Sequence, residues 1–137
     1  MQTFKNTFIR ILCGVALLIS AAQVTLAASG QVQDAELASI KQKLNGSSSE
    51  VNEAIHKIRE NYSRDPAVIA AVNQFVLEKH QSRDKADIKA LEHMCEILGE
   101  SGFTEYKSTL DQLGVDRETN RRVRKYAKKY AELLAKK

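Results

Sequence analysis

The chain has 137 residues, a net charge of +4, one Pro, six Gly, two Cys and no Trp. That length leaves no room for a large multi-domain enzyme. A content of 43% hydrophobic and 28% charged residues excludes a disordered or collagen-like chain, and so little Pro and Gly argues against a fold of many tight hairpins.

The N-terminus reads MQTFKNTFIRILCGVALLISAAQVTLAASG. Lys5 and Arg10 supply positive charge, Ile11 to Ala22 is an uncharged, mostly apolar run, and Thr25-Leu26-Ala27 has the small-x-small pattern that a signal peptidase cuts. Residues 1–27 are therefore expected to be a secretory signal peptide, and 28–137 the folded domain. The alternative is an uncleaved anchor, although Ser20, Gln23 and Thr25 weaken the segment as a membrane span. Cys13 is not a lipoprotein cysteine, because Leu12 precedes it where a small residue is required. Removing 1–27 leaves Cys95 as the one thiol, so no internal disulfide holds the domain. About 110 residues bury roughly two-thirds of their unfolded surface and can rely on a core instead.

Apolar residues then recur with helical period almost throughout. A first helix over 33–44 places Leu37, Ile40 and Leu44 on one face, and Asn45-Gly46 stops it. Ser47 and Glu50 have the spacing of a capping box, in which each side chain satisfies an unpaired backbone N–H of the other residue. A second helix, about 49–61, gathers Val51, Ala54, Ile55 and Ile58. Asp65-Pro66 opens a third, with Val68, Ala71, Val72, Phe75 and Val76 as its apolar face to about His80. Asp84 caps a fourth, carrying Ile88, Leu91, Cys95 and Leu98, and Gly99 is expected to end it. A fifth, about 103–113, carries Phe103, Tyr106, Leu110 and Leu113 and is expected to end at Gly114. Asp116 is expected to cap a sixth, with Val123, Tyr126, Ala127, Tyr130, Leu133 and Leu134 buried.

Short connections predict antiparallel neighbours. A weak internal repeat pairs the helices. Val51, Ile88 and Val123 open the apolar faces of the second, fourth and sixth at offsets of 37 and 35. Val68, Val72 and Phe75 map onto Tyr106, Leu110 and Leu113 at an offset of 38. Each pair has too little apolar face to fold alone and must stack on the next.

Leu98-Gly99-Glu100-Ser101-Gly102-Phe103-Thr104-Glu105-Tyr106, followed by Ser108-Thr109-Leu110 and Arg122-Val123-Arg124-Lys125-Tyr126-Ala127, resembles a HEAT repeat. Asp116 and Arg124 fall near that family's turn acid and second-helix base. The resemblance covers 84–135 well and 47–80 weakly. Tyr126 and Tyr130 depart from the small residues more usual there. It implies an all-α fold of antiparallel helix pairs stacked as a short α-solenoid with a binding role, and it implies no reaction.

Catalytic and metal signatures do not emerge. His93 and Cys95 are two residues apart on a helix and point in different directions, whereas zinc needs several converging ligands. Ser101 lacks the strand-turn-helix setting of a nucleophile elbow. Cys95 lies on an apolar stripe beside Leu91 and Leu98 and reads as buried. Glu92 and Glu96, with Lys89 and Lys85 before them, read as solvated pairs. The expectation is no enzyme, no metal, no cofactor and no small-molecule substrate.

Charge carries the information. Residues 28–116 balance to −5, whereas 117–137 hold nine basic residues against Glu118 and Glu132, a balance of +7. Lys136 and Lys137 complement a helix dipole. Arg121, Arg122, Lys125, Lys128 and Lys129 are too early and too many for that. Like charges four apart, such as Arg121–Lys125, destabilise a free helix, so this face calls for a partner. The five are the candidate binding residues of an exported, periplasmic protein-interaction scaffold with an acidic partner. Anionic lipid at a membrane surface is the alternative. Export argues against nucleic acid as the ligand.

Overall fold

The computed structural model describes residues 32–137. The expected signal peptide and Cys13 lie outside them. Every regular element among the described residues is helical: α1 (Asp34–Leu44), α2 (Ser48–Asn61), α3 (Pro66–Lys79), α4 (Lys85–Ser101), α5 (Lys107–Val115) and α6 (Arg121–Leu134), with a 3₁₀ turn at Thr104–Tyr106. The fold is all-α.

Side-chain capping sets most of the helix starts. Ser47 and Glu50 close a reciprocal capping box at α2: the Ser47 backbone N–H donates to Glu50 Oε2 at 2.7 Å, and the Glu50 N–H donates to Ser47 Oγ. Asp65 accepts from the Ala67 and Val68 backbone N–H groups, with Pro66 in the first turn of α3. Asp84 accepts from Ala86 and Asp87 at α4.

Four expected boundaries shift. Gly99 lies inside α4, which runs on to Ser101 and is capped by Gly102 at φ 85°, the left-handed conformation that favours glycine. Gly114 likewise lies inside α5, which begins after a 3₁₀ turn instead of at Phe103. Asn120, not Asp116, caps α6, accepting from the Arg122 N–H. Asp116 instead closes the turn before it, accepting from the Glu118 N–H at 3.0 Å and the Thr119 hydroxyl at 2.8 Å. Those bonds hold its carboxyl below the usual range, the Glu118 bond most of all, with nearby His80 contributing.

Helix contacts run within pairs and between them. α1 meets α2, α3 meets α4, and α5 meets α6. Between pairs, α2 packs on α4, α4 on α6, and α1 on α3. The core that results contains Ile58, Val68, Val72, Leu91, Met94, Leu98, Leu110, Val123 and Leu134. Burying each such aliphatic side chain is worth about 1.5–3 kcal/mol. α6 buries Val123, Ala127, Tyr130, Ala131 and Leu134, while Leu133, expected inside, is 37% exposed. The α6 stripe steps by four, three, one and three residues, and Leu133 falls one position off it.

Candidate anion-binding groove

Helix α6 has three kinds of surface. One buries the stripe just described. A second faces α4. Arg122 Nε lies 2.8 Å from Glu92 Oε1, and its Nη2 donates to Glu92 Oε2 at 3.1 Å. On the same flank Tyr130 fills the space above Gly99, where a Cβ would come within 2.5 Å of the Tyr130 Cβ. The Tyr130 hydroxyl is raised above its ordinary pKa, mainly by burial and then by Glu96 and Glu100.

This arrangement corrects the solvated reading of the two α4 carboxylates. Glu92 is buried at 5% exposure and is matched by Arg122 from thirty residues away. Glu96 is half-buried and pairs with Arg59 of α2, whose guanidinium also lies 3.1 Å from His93 Nδ1. Each carboxylate reaches a neighbouring helix, so together they tie α2, α4 and α6. A local i,i+4 count misses such bonds because their partners are distant in sequence.

The third surface of α6 turns away from α4. Arg121, Arg124, Lys125 and Lys128 follow one another at intervals of three, one and three residues, and so lie along one side of the helix. With Arg117 and Arg122 they line an open groove of about 840 Å³ whose floor is Gly114 and Val115 at the end of α5. No acidic side chain lines it. Lys128 lays its stem across Gly114, where a Cβ would come within 2.8 Å of the Lys128 Cγ. Val115 is 73% exposed. Among the described residues, Arg117, Arg121, Arg124, Lys125 and Lys128 make no ion pair, whereas Arg122 has Glu92.

Of the five residues expected at the binding face, the groove gathers Arg121, Arg122, Lys125 and Lys128. Arg122 is already engaged by a buried carboxylate. Lys129 lies elsewhere, its ammonium 5.0 Å from the centre of the Tyr130 ring. Arg117 and Arg124 complete the lining and were not among the five expected binding residues. Helical spacing would have found Arg124. Arg117 precedes the helix, and only the turn closed by Asp116 brings it there.

The remaining chemistry is structural. The Cys95 thiol is fully buried, and its pKa is pushed up to about 12, chiefly by burial and further by Glu92. A thiol in that state is a poor nucleophile. Among the described residues no group of three or more His, Cys, Asp or Glu side chains could hold a metal ion, and no helix is long and apolar enough to cross a membrane. No protein-family model, curated protein or solved structure matches the chain.

Proposed function

We propose that this protein is an exported, non-enzymatic binding module of HEAT-like stacked helix pairs, and that it docks an acidic protein partner in the groove beside α6. The carrying observation is that six basic side chains line one groove with no acid among them. Apart from Arg122, neutral residues there would cost the fold no ion pair. Like charges four apart cost about 0.2–0.5 kcal/mol per pair in a helix, and Arg121–Lys125 and Arg124–Lys128 both have that spacing. An anionic partner offsets this repulsion and gains electrostatic steering on approach.

The helix contacts support the HEAT-like reading. The second helices of the three pairs, α2, α4 and α6, pack in sequence, as stacked repeats require. Export to the periplasm rests on the N-terminal charge, apolar run and small-residue order.

The test is charge reversal at Arg121, Lys125 and Lys128 in the tagged protein, recovered at low salt from the cells that make it. Arg122 is left alone, since reversing it would set two carboxylates together at buried Glu92. The triple variant is expected to lose its co-purifying partner at least ten-fold with little change in melting temperature. Reversal of Lys85 and Lys89, on α4, is expected to leave recovery unchanged. If the triple variant melts early yet recovers the same partner when folded, the basic face is structural and the proposal fails.

A further inference from the structure

Resting on the reading of the groove as the docking surface, we infer the form of its occupant: an acidic helix, with carboxylates along one side and a short aliphatic side chain for Val115. Three observations converge on this.

The first is register. Arg121, Arg124, Lys125 and Lys128 repeat with the turn of α6, about 5.4 Å of rise per turn. A helix laid alongside presents carboxylates at i, i+3, i+4 and i+7 with the same repeat, so each can meet a cation. An extended strand carries same-side groups about every 6.6 Å, about 1.2 Å more per step than the helix repeat, so its fit worsens with each one.

The second is place. α4 has a helix packed on two sides, α2 and α6. α6 has α4 on one flank, through Arg122 and Tyr130, and the groove on the other. A helix in the groove would stand to α6 as α6 stands to α4.

The third is the floor. Gly114 offers no side chain and Val115 stands 73% exposed among the cations. One exposed aliphatic residue in a charged groove suits one aliphatic side chain of a partner. It is too little apolar surface for an acyl layer. The lining guanidiniums of Arg117, Arg121 and Arg124 can each grip a carboxylate through two parallel N–H bonds.

The test uses the full-length protein as purified from cells and fluorescent peptides bridged to be helical before binding. One peptide carries Glu at i, i+3, i+4 and i+7 with a Leu on the adjoining face. A second has the same composition with the Glu residues spread around the helix. In fluorescence anisotropy the first is expected to bind about ten-fold more tightly than the second. Changing the peptide's Leu to Ser is expected to weaken it several-fold, and Val115→Asp in the protein is expected to abolish that difference. Val115 is exposed, so this variant keeps the fold, and the comparison of the two peptides needs no variant at all. Equal binding of both peptides overturns the helix inference and leaves an acidic-partner groove that reads net charge alone. Binding of phosphatidylglycerol vesicles, with neither peptide bound, overturns both and assigns the groove to a membrane surface.

Discussion

Gly99 and Gly114 both sit inside helices, where glycine costs about 0.8–1.0 kcal/mol relative to alanine. They differ in what an added methyl would strike. At Gly99 it meets the Tyr130 Cβ and ring, anchored by burial on α6. At Gly114 it meets the middle of the exposed Lys128 stem, which can swing aside. Gly99→Ala is therefore expected to destabilise by about 1–3 kcal/mol through overpacking. Gly114→Ala is expected to be near neutral or stabilising, as helix propensity offsets a displaced lysine. Urea midpoints of the two variants check this directly. The Cys95 thiol gives a pH signature. Its folded pKa of about 12 stands above the ordinary 9.0. The unfolded chain therefore ionises first as pH rises, so stability is fully present below pH 9 and declines from there toward 12. Cys95→Ala is expected to lessen the alkaline decline, seen as a flatter midpoint-versus-pH curve above pH 9, with the remainder carried by Tyr106 and Tyr130, whose hydroxyls are also raised.

At the scale of the element, α6 carries a conflict between stability and charge. Lys125 stands four residues from both Arg121 and Lys129. Lys125→Glu turns two repulsive pairs into two attractive ones, an expected gain of about 0.8–2 kcal/mol in the free protein. The same change is expected to weaken partner binding. Thermal melts and partner recovery on this one variant should move in opposite directions. The helices themselves were legible in the sequence because their signals are local. Ser47, Asp65 and Asp84 cap as their spacing suggests, and the core follows from three- and four-residue steps. Boundaries failed where local chemistry was ambiguous. Gly99 was expected to stop α4, but it is packed against Tyr130 inside the helix, and the stop falls at Gly102, which takes the left-handed conformation. Asp116 was expected to cap α6, but its own turn takes its carboxylate and Asn120 caps the helix instead. Glu92 was illegible for a different reason, since its burial depends on Arg122 arriving from another helix.

Across the whole molecule, charge is sorted by what the packing does with it. Lys57, Arg59 and Arg122 each meet a carboxylate on another helix: Glu36, Glu96 and Glu92. The two half-exposed pairs contribute modestly, whereas Arg122 neutralises a buried carboxylate, and all three fix which helices lie together. Apart from Arg122, the cations of the groove meet none among the described residues. Sequence composition located this excess in the last segment. The groove itself, with Arg117 and Val115 as part of it, exists only once α5 and α6 are packed. Photo-crosslinking from position 125 in the cells that make the protein, read by mass spectrometry, tests most directly whether that excess is there for a partner. One dominant protein adduct, with its crosslinked site in an acidic segment, is the predicted result. Lipid adducts, or adducts confined to the protein's own acidic helices, would contradict it.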